Sequence, residues 1–430
     1  MLYRPSLVSS TTRSPVRSLV QKLFGSEGFH PLTLNPYLLF DAETSMIGTL
    51  ENPTLDLNPA NPSSLDVITA TRAGTATFTD ANNNIATASS NTVRVDHSLG
   101  YPAILVEPSV TNILSYSEDF TNNVWKFSNS GTNTVGNSAV APNGTTTADS
   151  IVEDTTTGAH RIYGYNPSWQ VTAGTTYTFS VFVKANGRDT VRIDASSGIS
   201  SSNFDLSALT PSSQTSQLGN GWVRCHLTGT ASSSGVFSVV ISPNPQAASG
   251  AGTYTGDGTS GVHVWGAQLE EGAKMSSYIP TSTSAAGRYA DNLVIDGTDF
   301  SDFYNGSEGT FYLEIVDRQV TGSSHSYIVG QTTSQFFLYK DSAAQVISYD
   351  NTTGLNKSPL VADQLMRLAL TYKSASPASR SLSLDGSTSD GFYNGNFSSA
   401  NILKIGGGYT DVFSGHFKRI LYWPNHSDSI

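Results

Sequence analysis

Two carboxylate pairs are the first residues to weigh for chemistry. Glycoside cleavage by a jelly roll needs two carboxyl groups across one face, about 5–10 Å apart, and on a strand residues i and i+2 share a face. In Glu314-Ile315-Val316-Asp317 the spacing of three sets the acids on opposite faces, and the second glutamate of an E-x-D-x-x-E string is missing. That string reads as a strand end with solvated charges. Glu270-Glu271 follows a strand-like run and precedes Gly272, which reads as a solvated turn in the same sense. The eight histidines form no zinc pattern: His160 and His226 stand singly, and no H-x-x-x-H or H-E-x-x-H occurs. No G-x-S-x-G, P-loop or dinucleotide fingerprint is present, and Gly406-Gly407-Gly408 reads as a bend. No catalytic residue and no metal ligand set is predicted, so the chain is expected not to be an enzyme.

Sugar binding is the softer chemistry, since sugars stack on exposed aromatic faces and hydrogen-bond to Asn, Asp, Arg and Gln. Arg161, Tyr163, Tyr165 and Trp169 lie in one stretch dense in aromatic and polar groups, Arg161-Ile162-Tyr163-Gly164-Tyr165-Asn166-Pro167-Ser168-Trp169. It reads as loop-like, and serves as a glycan-binding patch, as loop packing or as a subunit contact. Trp125, Trp222 and Trp265 fall in strand-like runs and read as core, as does Trp423 at a strand end. No cofactor is expected. A structural calcium ion is open to carboxylates near turns, such as Asp119 and Asp149, although no EF-hand-like loop fixes its ligands.

The elements that must position these residues are strands. Hydrophobic residues make up 37% of the 430 and charged residues 13%, with Ser, Thr, Asn and 38 Gly filling the difference. That suits β-sandwiches, in which half of each strand faces water. The 10% of aromatics argues against disorder. A net charge of −11 disfavours nucleic acid, whose affinity comes from neutralising phosphates. The single cysteine, Cys225, precludes an intrachain disulfide and reads as a small core residue. No stretch approaches the roughly 18 apolar residues of a membrane helix. The N-terminus has Arg4, Arg13, Arg17 and Lys22 but no apolar h-region, so the protein is expected to be made and kept in a cytoplasm, or to leave it by cell lysis.

Four segments follow. Residues 1–30 form an arm with one helix-like patch, Val16 to Phe24, in which Leu19, Leu23 and Phe24 share a face with Val20. So little core makes it an element that docks on something else. Residues 31–110 read as a small β region, with Asp80-Ala81-Asn82-Asn83-Asn84 as a turn. Residues 111–298 and 299–430 read as two β-sandwiches in series, the second with a hairpin turn at Asp385-Gly386.

Several spaced strings resemble those of bacteriophage fibre and head-spike proteins. They are Thr71-Arg72-Ala73 through Asp80, Arg94-Val95-Asp96-His97, Leu105-Val106-Glu107-Pro108, and Thr111-Asn112-Ile113-Leu114 running into Ser117-Glu118-Asp119-Phe120. Asn123-Val124-Trp125, Gly221-Trp222 and Trp265-Gly266-Ala267-Gln268-Leu269 are similar to marks of the carbohydrate-binding-module-like jelly roll of those proteins. Leu403-Lys404-Ile405-Gly406-Gly407 and Gly415 through Pro424 resemble the closing strands of a concanavalin A-like, or laminin G-like, jelly roll. The resemblance implies an all-β fold of tandem jelly rolls behind a small β region and an arm with a short helix. It implies a virion structural protein at the particle surface, a homo-oligomer with trimers favoured. The arm would contact other virion proteins through Arg4, Arg13, Arg17, Lys22, Leu19, Leu23 and Phe24, and the jelly rolls would meet host-surface glycan. A purely architectural decoration or connector protein and a polysaccharide depolymerase are the rival expectations. Membrane insertion is not expected.

Overall fold

The computed structural model describes residues 52–126, 131–243, 253–319, 326–331, 336–350, 354–357, 359–393, 397, 400–407 and 412–425. The arm residues Arg4, Arg13, Arg17, Leu19, Lys22, Leu23 and Phe24 lie outside them. The protein is all-β, with one five-residue α-helix, Gly297–Ser301, among the described residues. Strands alternate buried and half-buried side chains, as the period of two requires. Thr176–Asn186 and Gly261–Glu271 are largely buried on both faces because each is covered on both sides.

The larger sandwich is assembled from both ends of the chain. Its eight-stranded sheet runs Ser387–Gly391, Ser379–Leu384, Leu365–Lys373, Glu308–Asp317, Gly415–Trp423, Ala103–Val106 and Arg94–Asp96, and Leu55–Leu57 pairs beside Gly415–Trp423. The seven-stranded sheet begins with Thr69–Thr71 against Asn292–Asp296 and ends at Gly354–Lys357. Leu55, Leu57, Leu65, Ile68, Ile104 and Val106 sit in one core with Phe311, Phe337, Tyr372 and Tyr422. The described part of the segment expected as a separate small β region is divided: Leu55 pairs opposite Tyr422 and Leu105 opposite His416, over 300 positions away in this sandwich, whereas Ala76–Thr79 and Ile85–Ala88 form a hairpin of their own. Asp385 (φ 46°) and Gly386 (φ 84°) make the two-residue hairpin turn that joins Leu384 to Ser387.

The second sandwich is inserted between these parts. Val110–Asn112 pairs antiparallel with Ala286–Arg288, so the strands entering and leaving the insertion form a two-stranded neck. A six-stranded sheet (Thr215–Gln217, Trp222–Thr230, Thr176–Asn186, Gly261–Glu271, Ala148–Glu153, Thr132–Ala139) packs on a four-stranded one (Ile162–Val171, Gly235–Ser242, Thr190–Ala195, Ser200–Asp205). Trp125, Trp169, Phe179, Cys225 and Phe237 lie in the core between them. The outer face of the larger sheet is roofed. Phe182, Trp222, Trp265 and Tyr278 form a further cluster there, against which Ile85 packs from the hairpin Ala76–Thr79/Ile85–Ala88. Trp222, Trp265, Trp423 and Cys225 lie in strands and are buried, as expected; Trp125 is buried too, but it closes a 3-10 turn, Asn123–Trp125, rather than lying in a strand.

Candidate functional site

The outer face of the four-stranded sheet brings three of the four expected sugar-binding residues together. Arg161-Ile162-Tyr163-Gly164-Tyr165 is a strand, not a loop: Ile162 and Gly164 point inward, and Arg161, Tyr163 and Tyr165 alternate with them on the outside, half-buried. Gly164 has to be glycine, because a Cβ there would lie 2.6 Å from the Trp125 ring. The register sets Val240 beside Tyr163 and Ser238 beside Tyr165, and then Asp194 and Ser201 across from Val240. Arg192 completes the face by donating to Asp194 at 3.0 Å, Asn203 at 3.1 Å and Ser201 at 3.3 Å. Sequence reading missed Arg192, Asp194, Ser238 and Val240; the alternation Arg192-x-Asp194 is the signal that carried them.

Trp169 does not belong to this face. Even spacing from Tyr163 and Tyr165 would put it outside, but the register shifts between Tyr165 and Gln170, and the side-chain parity flips. The bulge forms at Asn166-Pro167-Ser168, where the Asn166 carboxamide oxygen accepts from the Ser168 amide at 2.9 Å. Trp169 is 0% exposed, 5.2 Å from the Trp125 ring, with its Nε1 donating to Ser115 Oγ at 3.3 Å. A buried indole cannot stack on a sugar, so the expected glycan role of Trp169 is withdrawn in favour of core packing.

The strings that carry the resemblance converge elsewhere, on a buried ionic network at the neck. Arg94 pairs with Glu107 at 2.8 Å and with Asp291, and donates to the Thr77 carbonyl and to Ser277 Oγ at 2.9 Å. Arg72 pairs with Asp291 at 2.8 Å, and Arg288 with Glu107 at 3.1 Å. Burial alone would raise the Glu107 carboxyl, but Arg288, Arg94 and Arg318 together hold it well below its usual range. Asn112 donates to the Ala267 and Ile279 carbonyls and accepts from Leu269 and Leu114, tying the neck to the inserted sandwich. Asp96, which burial would raise, is brought down to about 2 by His416, Ser98 and the Thr79 amide. Arg94 and Glu107 reach Ser277 of the insertion, so the network ties the two sandwiches together. Arg318 donates to the Met275 carbonyl at 2.9 Å across the same junction.

Both carboxylate pairs are placed differently from their sequence reading. Asp317 is 0% exposed rather than solvated and is paired with Lys340 at 2.9 Å; Glu314 is paired with Lys418 at 2.7 Å. Glu270 is also buried, accepting from the Ser276 amide and the Gln268 carboxamide at 2.8 Å, whereas Glu271 is exposed. Burial lowers His226 to about 4, with Arg224 adding to the shift, so it is neutral near pH 7. The oxygens of Asp149 accept the amides of Phe120 (2.7 Å) and Asn137 (2.8 Å), and Asp119 accepts from Thr121. No group of three acidic, His or Cys residues suited to a metal occurs among the described residues.

One shallow depression lies nearby, lined by Tyr116, Glu118, Asp119, Pro280, Thr281 and Ser282. Tyr116 has a left-handed φ of 56°, held by its carbonyl accepting from Trp125 Nε1 at 2.9 Å. Its charged groups are acidic and it offers one aromatic side chain, so it is a poorer platform than the outer face of the four-stranded sheet.

No family model matches the sequence, and no curated protein matches it. Among solved structures, the N-terminal CBM22-1-CBM22-2 tandem domain of Paenibacillus barcinonensis Xyn10C is 8% identical, over 74% of this chain and 99% of that one, with a TM-score of 0.25. Domains LG4-5 of the mouse laminin alpha1 chain are 10% identical, over 59% of this chain and 85% of that one, with a TM-score of 0.22. The receptor binding domain of botulinum neurotoxin mosaic serotype C/D is 9% identical over 32% of this chain, with a TM-score of 0.24. This chain spans 37% and 38% of the length of that domain and of the serotype D binding domain.

Proposed function

We propose that the chain is a non-catalytic virion structural protein, a fibre or spike subunit, whose inserted sandwich attaches the particle to host-surface glycan. The observation that carries the glycan part is the outward row of Arg161, Tyr163 and Tyr165 beside Ser238, Asp194 and Asn203 on an open sheet face. Aromatic rings with hydroxyl, carboxylate and amide neighbours supply both halves of sugar recognition, stacking and hydrogen bonding. The virion part rests on the order of the strings from Thr71 to Phe120 and on the way the chain is threaded. Thr54 donates its amide to the Tyr422 carbonyl, so both ends of the described chain lie together on the larger sandwich. An arm preceding residue 52 then leaves from that sandwich, which sits at the base, and the insertion is the part displayed. Several copies at one anchor would raise a weak sugar contact through effective concentration.

A glycan array probed with the full chain tests the reading. Binding that is lost in Tyr163→Ala and Tyr165→Ala supports it. Binding that survives both substitutions, with folding intact, places the ligand elsewhere. Cryo-electron microscopy of particles carrying the chain tests the anchor: the larger sandwich lies against the particle and the insertion points away. Both sandwiches lying flat on capsid subunits would favour decoration instead.

A further inference from the structure

We infer that the glycan taken by this face is an acidic polysaccharide, one carrying carboxylate or sulfate groups; the inference rests on the glycan-binding reading and narrows its ligand class. Lys126 forms a parallel β-bridge with Tyr163, and bridge partners point to the same side of a sheet, so the exposed Lys126 flanks the Tyr163 ring. Arg161, two residues before Tyr163, lies on the same side. A strand rise of about 3.3 Å separates Tyr163 from Tyr165 by about 7 Å, and neighbouring strands are about 4.8 Å apart. Two aromatic side chains and two cations thus occupy one corner of the sheet.

The anions on this face are already engaged. Asp194 pairs with Arg192 at 2.5 Å. Asp205, at the far edge, accepts the amides of Ser207 at 2.9 Å and Ala208 at 2.8 Å. Lys126 is exposed, Arg161 is half-buried, and neither takes part in an ion pair among the described residues. Cations without a protein counter-ion beside aromatic rings ask for an anionic acceptor, and a carboxylate or a sulfate supplies it with charge-assisted hydrogen bonds. The chain as a whole carries a net charge of −11, so general attraction to polyanions does not explain binding here.

The test is biolayer interferometry of the full chain against immobilised polygalacturonate, hyaluronan and dextran sulfate, with dextran and galactomannan as neutral polysaccharides and polyglutamate as a sugar-free polyanion. Binding to at least one acidic polysaccharide is expected, weakening as salt rises. Arg161→Gln and Lys126→Gln each weaken it by about tenfold, the loss of one charge-assisted contact. Tyr163→Ala weakens it by a similar factor, and thermal melting of the exposed-site variant Lys126→Gln is unchanged. Binding confined to the neutral polymers and lost in Tyr163→Ala overturns the acidic class while leaving the glycan reading intact. Equal binding of polyglutamate, or indifference to Arg161→Gln and Lys126→Gln together, also overturns it. Binding to no polysaccharide overturns both readings.

Discussion

Arg94→Ala is the substitution that most severely tests how the two sandwiches are held together. The Arg94 side chain is fully buried and its guanidinium meets two carboxylates, Glu107 and Asp291, a backbone carbonyl and a hydroxyl. Removing one partner of a buried ion pair leaves uncompensated charge and costs about 3–5 kcal/mol. Here the lower end applies, because Arg288 remains 3.1 Å from Glu107 and Arg72 remains 2.8 Å from Asp291. At about 2–4 °C per kcal/mol for a unit of 150–250 residues, a loss of about 3 kcal/mol lowers the melting temperature by about 6–12 °C. Differential scanning calorimetry reads this directly. Hydrogen exchange at Ser277 and Ile279 should quicken too, since Ser277 donates to Glu107 through both its amide and its hydroxyl. Asp56→Asn is the control: the Asp56–Arg419 pair is partly exposed and is worth less than about 1 kcal/mol. A shift for Arg94→Ala no larger than the control's would refute the claim that this network joins the sandwiches.

Three further outcomes follow from the same geometry. Trp169→Ala should destabilise the inserted sandwich by about 3–5 kcal/mol, read by urea unfolding, because the indole fills its core; a near-neutral effect would mean that the ring is not enclosed. Asp96, with its folded pKa depressed from 3.8 to about 2, contributes stability that is present above about pH 4 and lost as pH falls towards 2. The amount is roughly 2 kcal/mol, so the fall in stability over that window should flatten in Asp96→Asn, followed by calorimetry across pH. Finally, residues 113–285 excised as one piece should fold, by circular dichroism and NMR dispersion, whereas a chain beginning at residue 290 should not. The latter lacks the strands Leu55–Leu57, Ala103–Val106 and Thr69–Thr71 and the core residues they bring.

The fold class and most strands were legible because each depends on local alternation. Tyr177, Phe179, Val181 and Val183 lie on one side of a strand in both pattern and structure, and all four are buried. Threading was not legible. Leu55 opposite Tyr422 is a pairing without any local signal, so residues 31–110 looked like a region of their own. The same limit hid the fate of the recurring strings: Arg72, Arg94 and Glu107 are charged and carry no local sign of burial, but Asp291 and Arg288 arrive from the far side of the insertion to pair with them. At the candidate site, Arg161, Tyr163 and Tyr165 were singled out from composition alone, and the strand sets them on one side of a sheet. Trp169 was misplaced because a bulge at Asn166-Pro167-Ser168 changes which side every later residue faces, and the aromatic-rich stretch gave no hint of where the extra residues sit.

The most direct test of the central claim is hydrogen–deuterium exchange on the full chain, alone and saturated with the polysaccharide it captures from the array. The account predicts protection concentrated in Ile162–Val171, Gly235–Ser242 and Thr190–Ala195, the strands that present the open face. Protection confined to the depression at Tyr116–Asp119 and Pro280–Ser282, or to the larger sandwich, would contradict it.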